Sequence, residues 1–411
     1  MTAEHVLTLT TPIYGGETLG RLPDGRAVFV PFTLPGEKVR LRLVEEKPRY
    51  ARAALVEILE ASAGRETPRC RHYGECGGCH YQHIAYARQV EIKTEVLRDQ
   101  LQRIGKQVDP PVRPMVPCPH PWNYRNHVQF HLTEAGRPGF VAVDGEGVLP
   151  IGECHLPEES INRLWPALDI EQVPGLRRVA LRAGAQGDMM LVLESDDPRP
   201  VALELEASLS VVHLGPGGAL VLAGDDHLVM EVHGRAFRVS AGSFFQVNTV
   251  MAEAMVTHLL ENLALSPADT LLDVYCGVGL FSAFLAPRVG RLIGVEASPY
   301  AAEDFAVNLD EFDHVELYEA PAETVLPSLD VRPDVILVDP PRAGLAKAVR
   351  EAILRLRPRA LVYVSCDPAT LARDAARLSA GGYRLAHITP FDLFPQTYHI
   401  ESVSLWYRAD D

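Results

Sequence analysis

The chain has 411 residues, with 54 acidic against 39 basic side chains and a formal net charge of −15. That length exceeds one ordinary core and points to two or three domains, while the acidic balance excludes a general charge-driven nucleic-acid binder, whose affinity rests on phosphate neutralisation by Lys and Arg. No run approaches the ~18–20 apolar residues that span a bilayer, and the start lacks a basic stretch followed by an apolar one, so a cytoplasmic protein without a membrane partner is expected.

Residues 1–60 alternate apolar and polar positions in short runs, such as Val39-Arg40-Leu41-Arg42-Leu43-Val44, broken by Gly15-Gly16, Asp24-Gly25 and Pro35-Gly36. This pattern predicts a small antiparallel barrel. Arg21, Arg26, Lys38, Arg40, Arg42 and Arg52 give it local positive charge, which suits RNA contact and a solvated strand face equally well.

A cysteine-rich segment follows, with Cys70, Cys76 and Cys79 in a short stretch and Cys154 far downstream. Seven cysteines are an odd number for a chain without a secretion signal, which disfavours a disulfide framework and leaves metal ligation or catalysis. Four thiolates suit zinc or an iron–sulfur cluster, and spacing alone does not separate the two. Val90, Leu97, Leu101 and Ile104 then recur at helical spacing, predicting a helix over 84–105 that ends at Gly105 and packs on the C-terminal domain.

From about 113 to 240 the period returns to two, with Arg177 to Ala183 and Asp188 to Glu194 as a hairpin, so 61–240 is expected to be a central antiparallel β domain. After residue 250 short apolar strands alternate with helices. A doubly wound, mainly parallel, Rossmann-like α/β domain is expected over 241–411.

In Leu271-Leu272-Asp273-Val274-Tyr275-Cys276-Gly277-Val278-Gly279 an apolar strand runs into a glycine turn and a helix, and the next strand ends in Gly294-Val295-Glu296. Glycine lets a ligand approach the backbone, and an acidic residue at that second strand end accepts hydrogen bonds from ribose hydroxyls. The third glycine of a dinucleotide fingerprint is missing, so a nucleoside without a pyrophosphate, such as S-adenosylmethionine, fits better than a nicotinamide or flavin. Val338-Asp339-Pro340-Pro341-Arg342 puts a carboxylate at the carboxyl edge of the sheet, where ligands of this fold bind.

Val362-Tyr363-Val364-Ser365-Cys366-Asp367-Pro368 places a cysteine after an apolar strand at the same edge. A thiolate there, next to a helix N-terminus, is expected to have a lowered pKa and to act as a nucleophile, against the alternative of a buried structural cysteine.

With these segments and Thr397-Tyr398-His399-Ile400-Glu401 near the end, the chain resembles the RNA 5-methyluridine methyltransferases, over nearly its whole length. In that family Ser-Cys-x-Pro-x-Thr carries the nucleophile and Thr-x-His-x-Glu the base. The resemblance implies Cys366 as nucleophile, Glu401 as general base, and Gln246, Tyr275, Glu296 and Asp339 as cofactor contacts. The thiolate would add to carbon 6 of the uracil ring, carbon 5 would take the methyl group, and Glu401 would remove the carbon 5 proton before Cys366 leaves. A stacked base is out of reach, so the nucleotide would be flipped, with Phe244 or Phe245 stacking on it unless both are core.

The N-terminal barrel resembles the TRAM/OB-like RNA-binding domain. The branch that combines it with this cysteine pattern looks like the bacterial 23S ribosomal RNA enzymes, which implies a [4Fe-4S] cluster on Cys70, Cys76, Cys79 and Cys154, with a structural role. The partner implied is 23S rRNA, with no protein partner; Cys118 and Cys276 are left as packing residues. Tyr124-Arg125-Asn126-His127 has His where family members often carry Lys. The rival readings are a transfer-RNA 5-methyluridine enzyme, an amino-group methyltransferase of the Asp-Pro-Pro-aromatic kind, which needs neither Cys366 nor Glu401, and a non-catalytic RNA-binding protein of this fold.

Overall fold

A computed structural model describes residues 4–168, 173–201 and 208–409. Five strands, β1 (Glu4–Pro12), β2 (Glu17–Arg21), β3 (Ala27–Pro31), β4 (Lys38–Glu46) and β5 (Tyr50–Glu60), close a barrel in the order β1-β2-β3-β5-β4. Alternation decides what lies inside: Leu9, Val28, Val30, Val39, Leu41 and Ala51 are fully buried. The expected all-antiparallel pairing holds except where β3 meets β5 in parallel to complete the closure.

The cysteine segment leads into α1 (Tyr86–Arg103). Its apolar stripe of Ile92, Val96, Leu97 and Leu101 joins one core with Leu371, Ala372, Ala375 and Leu378 from a C-terminal helix.

A seven-stranded central sheet contains β6 (His127–Leu132), β7 (Pro138–Val141), β8 (Val148–Pro150), β9 (Leu176–Ala183), β10 (Met189–Ser195), β11 (Ser210–Gly215) and β12 (Gly218–Ala223), ordered β12-β11-β10-β9-β6-β7-β8, with the short α2 (Glu159–Leu164) before β9. The predicted hairpin is present as β9–β10. The sheet is not purely antiparallel: β10 and β11 run in parallel, Leu191 opposite Val211. The hairpin β13 (His227–Val232) and β14 (Arg235–Ser240) stands apart as its own two-stranded sheet. Its inward residues Met230, Val232, Phe237 and Val239 share a core with Met251, Met255 and Leu280, so this pair packs with the C-terminal half although it precedes residue 241.

The C-terminal sheet is built from α3 (Thr249–Asn262), β15 (Thr270–Val274), α4 (Leu280–Leu285), β16 (Arg291–Glu296), α5 (Pro299–Asn308), β17 (Val315–Glu319), α6 (Ala322–Ser328), β18 (Val335–Val338), α7 (Lys347–Leu356), β19 (Ala360–Ser365), α8 (Pro368–Ala380), β20 (Tyr383–Phe391) and β21 (Glu401–Arg408). Its order is β17-β16-β15-β18-β19-β21-β20, parallel except for β21, which runs against both neighbours. Two cores cover its two faces. The reversal of β21 brings the first residue of that strand to the carboxyl edge of the parallel ones. Among the described residues no helix is long and apolar enough to cross a membrane.

Candidate active site

The strand register assembles one half of the site. Val274 pairs with Val295 on one side and Val338 on the other. The next residue of each strand, Tyr275, Glu296 and Asp339, therefore emerges at one level of the carboxyl edge, where the strand order switches and ligands of such sheets bind. Tyr275, Gly277 and Gly279 all have positive φ, at 63°, 56° and 88°. Such a backbone costs a non-glycine residue about 1–2 kcal/mol, so Tyr275 is held there by its surroundings. At Gly279 a Cβ would also lie 2.4 Å from Leu309 Cδ1. Glu296 supports the loop, its Oε2 accepting from Gly277 N at 2.9 Å and its Oε1 from Ala297 N and Ser298 N at 2.8 and 2.7 Å.

Beneath the loop lies Asp273, which the sequence reading passed over as a strand residue. Ser282 Oγ donates to its Oδ2 at 2.6 Å, its Oδ1 has no partner among the described residues, and burial pushes its pKa up to about 7. Asp339 is also raised to about 7, by burial and then by the charges of Asp273 and Glu296. Gln246 is buried, and its carbonyl accepts from Asn126 Nδ2 at 2.9 Å; Asn126 of the Tyr-Arg-Asn-His run thereby ties the central sheet to the segment before α3. The two neighbouring phenylalanines separate: Phe245 is core, while Phe244 is 66% exposed.

The other half rests on β19 and β21. Val364 pairs with Val403 and Ser365 with Ser402, so the residues beyond that pair, Cys366 and Glu401, stand side by side. The expected low thiol pKa is not found. Cys366 is pushed up to about 12 by burial, then by the charges of Glu401 and Asp339, with Arg342 pulling the other way. Burial first, and then the acids crowded around the thiol, outweigh the helix N-terminus that follows. Glu401 is 4% exposed, and burial and Asp339 raise its pKa well above the carboxylate range.

The loop between β20 and β21 holds Thr397, Tyr398 and His399. Lys93 of α1, fully buried, donates to Asp392 Oδ1 at 2.6 Å and to the Phe394 carbonyl at 3.0 Å. Lys93 carries no signal in the sequence pattern, and only the packing shows that it anchors this loop. Gln396 accepts at its carbonyl from His80 N and Tyr81 N at 2.9 and 3.0 Å, so the cysteine segment backs directly onto the loop.

Cys70, Cys76, Cys79 and Cys154 line one cavity of about 310 Å³, together with Thr397 and His399. All are free thiols. Burial raises each of them, Cys79 to about 12 and Cys154 to about 11. Among the described residues no three His, Cys, Asp or Glu side chains gather closely enough to hold a single metal ion; the four cysteines share the walls of a cavity and not one centre. Cys118 and Cys276 are buried and packed in the core.

A closed barrel, a mixed central sheet and a doubly wound sheet with a glycine turn and paired carboxylates at its edge define a methyltransferase equipped to handle RNA. Residues 221–409 match the family described as tRNA (Uracil-5-)-methyltransferase, and residues 6–56 match the TRAM domain. Full-length similarity extends to an uncharacterized RNA methyltransferase of Thermosynechococcus vestitus, 36% identical with 95% of each chain covered. Another from Aquifex aeolicus is 36% identical with 97% of each covered. The chain belongs to this family of S-adenosylmethionine-dependent RNA uracil-5-methyltransferases with a TRAM domain. Its fold is that of Pyrococcus abyssi tRNA (uracil-54, C5)-methyltransferase, solved with S-adenosyl-L-homocysteine, with a TM-score of 0.74 at 24% identity over 98% of this chain and 100% of that one.

Proposed function

We propose that this protein methylates carbon 5 of a uridine in 23S ribosomal RNA, with Cys366 as nucleophile and Glu401 as the base. The observation that carries the chemistry is the register of β19 on β21, which sets the two side chains next to each other at the cofactor edge. Cys366, its thiol proton lost to solvent, bonds through Sγ to carbon 6, the electron pair moves to carbon 5 and takes the methyl group from the sulfonium, and the donor leaves as the neutral thioether. Glu401, in its ionised form, takes the carbon 5 proton, the carbon 6–sulfur bond breaks, and the double bond returns with the thiolate as leaving group. Gln246, Tyr275, Glu296 and Asp339 would contact the cofactor, and Phe244 is placed to stack on the flipped base.

The four cysteines would hold a [4Fe-4S] cluster. A cavity walled by four thiols suits a body larger than one ion, and thiolate ligation would draw these raised thiols into their ionised form. Bound there, the cluster would tie the cysteine segment to the central sheet and to the loop before Glu401.

Ribosomal RNA is favoured by the barrel and the cysteine cavity together, through the resemblance those two features carry. Transfer RNA is the second reading, because the fold neighbour at TM-score 0.74 is an enzyme acting on uracil 54 of tRNA. Mass-spectrometric mapping of 5-methyluridine in both RNAs from a deletion strain decides between them: loss confined to tRNA rejects the ribosomal assignment. Calorimetric titration with S-adenosylmethionine tests the rival reading of a non-catalytic RNA-binding protein, which would show no affinity for the donor.

A further inference from the structure

A side chain of the N-terminal barrel reaches the turn that carries Cys366. Tyr14, in the connection from β1 to β2, donates its hydroxyl to Asp367 Oδ2 at 2.9 Å. Its ring meets that of Tyr398 edge-on, with centroids 5.5 Å apart. Two residues on, Gly16 has φ +85°, and a Cβ there would stand 3.1 Å from His80 Cβ and 3.5 Å from Tyr398. The connection is therefore fitted closely against the segments that flank the site.

Asp367 follows Cys366 directly and caps α8. Its Oδ1 accepts from Ala369 N and Thr370 N at 3.0 and 2.8 Å. Ser365 Oγ, on the other side of the cysteine, accepts from Asp367 N at 3.3 Å. One carboxylate oxygen thus belongs to the helix and the other to the barrel, with the cysteine held between.

We propose that Tyr14 is a positioning residue for Cys366: by taking Asp367 Oδ2 it fixes the nucleophile turn against the N-terminal barrel. This rests on Cys366 being the nucleophile. The groups facing that thiol are Glu401 from β21, Asp339 from the end of β18, Arg342 beyond it, and Asp367 itself; the three carboxylates oppose ionisation and Arg342 favours it. Tyr14 is faced by Tyr398 and Arg342 as well as Asp367. Burial holds its phenol protonated far above the ordinary range, so it remains a donor at any working pH. A hydrogen bond to Asp367 stabilises that carboxylate and weakens its effect on the neighbouring sulfur.

The test uses the full-length protein, purified anaerobically. Tyr14→Phe keeps the ring against Tyr398 and removes only the hydroxyl. It is compared with Asp367→Asn, the double variant and Cys366→Ala by steady-state methylation of an RNA substrate. The pH dependence of iodoacetamide alkylation at Cys366, read by peptide mass spectrometry, is the second readout. The expected result is a kcat about five- to tenfold lower for Tyr14→Phe, with KM for RNA within twofold, an alkylation midpoint at higher pH, and no further effect when Asp367→Asn is already present. Wild-type kcat with a wild-type alkylation profile overturns the proposal. So does a rise in KM alone, which would make Tyr14 an RNA contact, and so does an equal loss in the Asp367→Asn background. If Tyr14→Phe melts early, the four-way comparison at a temperature where all chains are folded still decides. Methylation surviving in Cys366→Ala would instead reject the nucleophile reading.

Discussion

Ser365 on β19 pairs with Ser402 on β21, and Ser402 Oγ donates to the Ser365 carbonyl at 3.5 Å. Because the two strands are antiparallel, the residue after one serine meets the residue before the other, which fixes Cys366 against Glu401 by backbone alone. Removing either group should leave its own trace on the RNA. Cys366→Ala cannot activate carbon 5, so neither adduct nor product should form. Glu401→Gln still adds and transfers the methyl group but stalls before elimination. Denaturing electrophoresis should show a donor-dependent adduct of protein and methylated RNA with Glu401→Gln, absent when Cys366 is also replaced. Wild-type turnover by Glu401→Gln without an adduct would remove Glu401 from the mechanism.

The cysteine cavity predicts a metal requirement for folding. Anaerobically purified protein should be brown and carry iron, whereas Cys79→Ser should lose iron, folded yield and thermal stability together, because metal-binding free energy is part of folding free energy. Methylation by the surviving folded fraction should fall less than in Cys366→Ala. Stoichiometric zinc without iron would contradict the cluster.

The Rossmann-like sheet and its glycine turn were legible because the pattern is local: an apolar strand, a turn of Tyr275 to Gly279, and a carboxylate one strand later at Glu296. The same holds for Cys366 after β19. Glu401 was reached only through the resemblance, since its place depends on β21 reversing into the sheet edge, which no period reports. The parallel β10–β11 pair was missed for a related reason, as alternation marks a strand without giving its direction. Lys93, Tyr14 and the raised pKa of Cys366 depend on what distant segments bring, and their nearest neighbours in sequence carry no such signal.

The barrel's cations are not equivalent as RNA contacts. Arg40 is shared with Glu4 and Glu57, and Arg52 with Glu17, so reversing either also frees an acid. Arg42 is exposed and has no ion pair among the described residues. Arg42→Glu should weaken RNA binding and lower the slope of log affinity against log salt by about 1, leaving donor affinity unchanged. Unaltered RNA affinity across a salt series would make this face solvated only.

Asp273 gives the fold a pH signature. Its folded pKa, about 7, lies above the unfolded carboxylate value, so the unfolded chain loses its proton first and stability falls as pH rises from about 4 to about 7. The slope from one such group reaches at most about 1.4 kcal/mol per pH unit. Asp273→Asn keeps an acceptor for Ser282 and removes the titration. In urea melts without donor, the stability of wild type relative to this variant should decline between pH 5 and 7.5. A difference independent of pH would mean that Asp273 is ionised throughout.

The acid-rich edge also predicts how the donor acts before any chemistry. In the free protein Cys366 is pushed up to about 12 while Glu401 and Asp339 are themselves raised, so near neutrality Cys366 is a thiol. S-adenosylmethionine bound at this edge would bring a positive sulfonium, and a nearby positive charge favours the anionic form of the acids and thiol around it. Its product, S-adenosylhomocysteine, has nearly the same shape and lacks that charge. The Cys366 titration, isolated as the thiolate absorbance of wild type minus that of Cys366→Ala, should move to lower pH by at least about one unit with the donor, equivalent to about 1.4 kcal/mol. The product should move it far less. Equal shifts from the two ligands would assign the effect to loop closure and not to charge, and no shift from either would place the sulfonium away from the thiol.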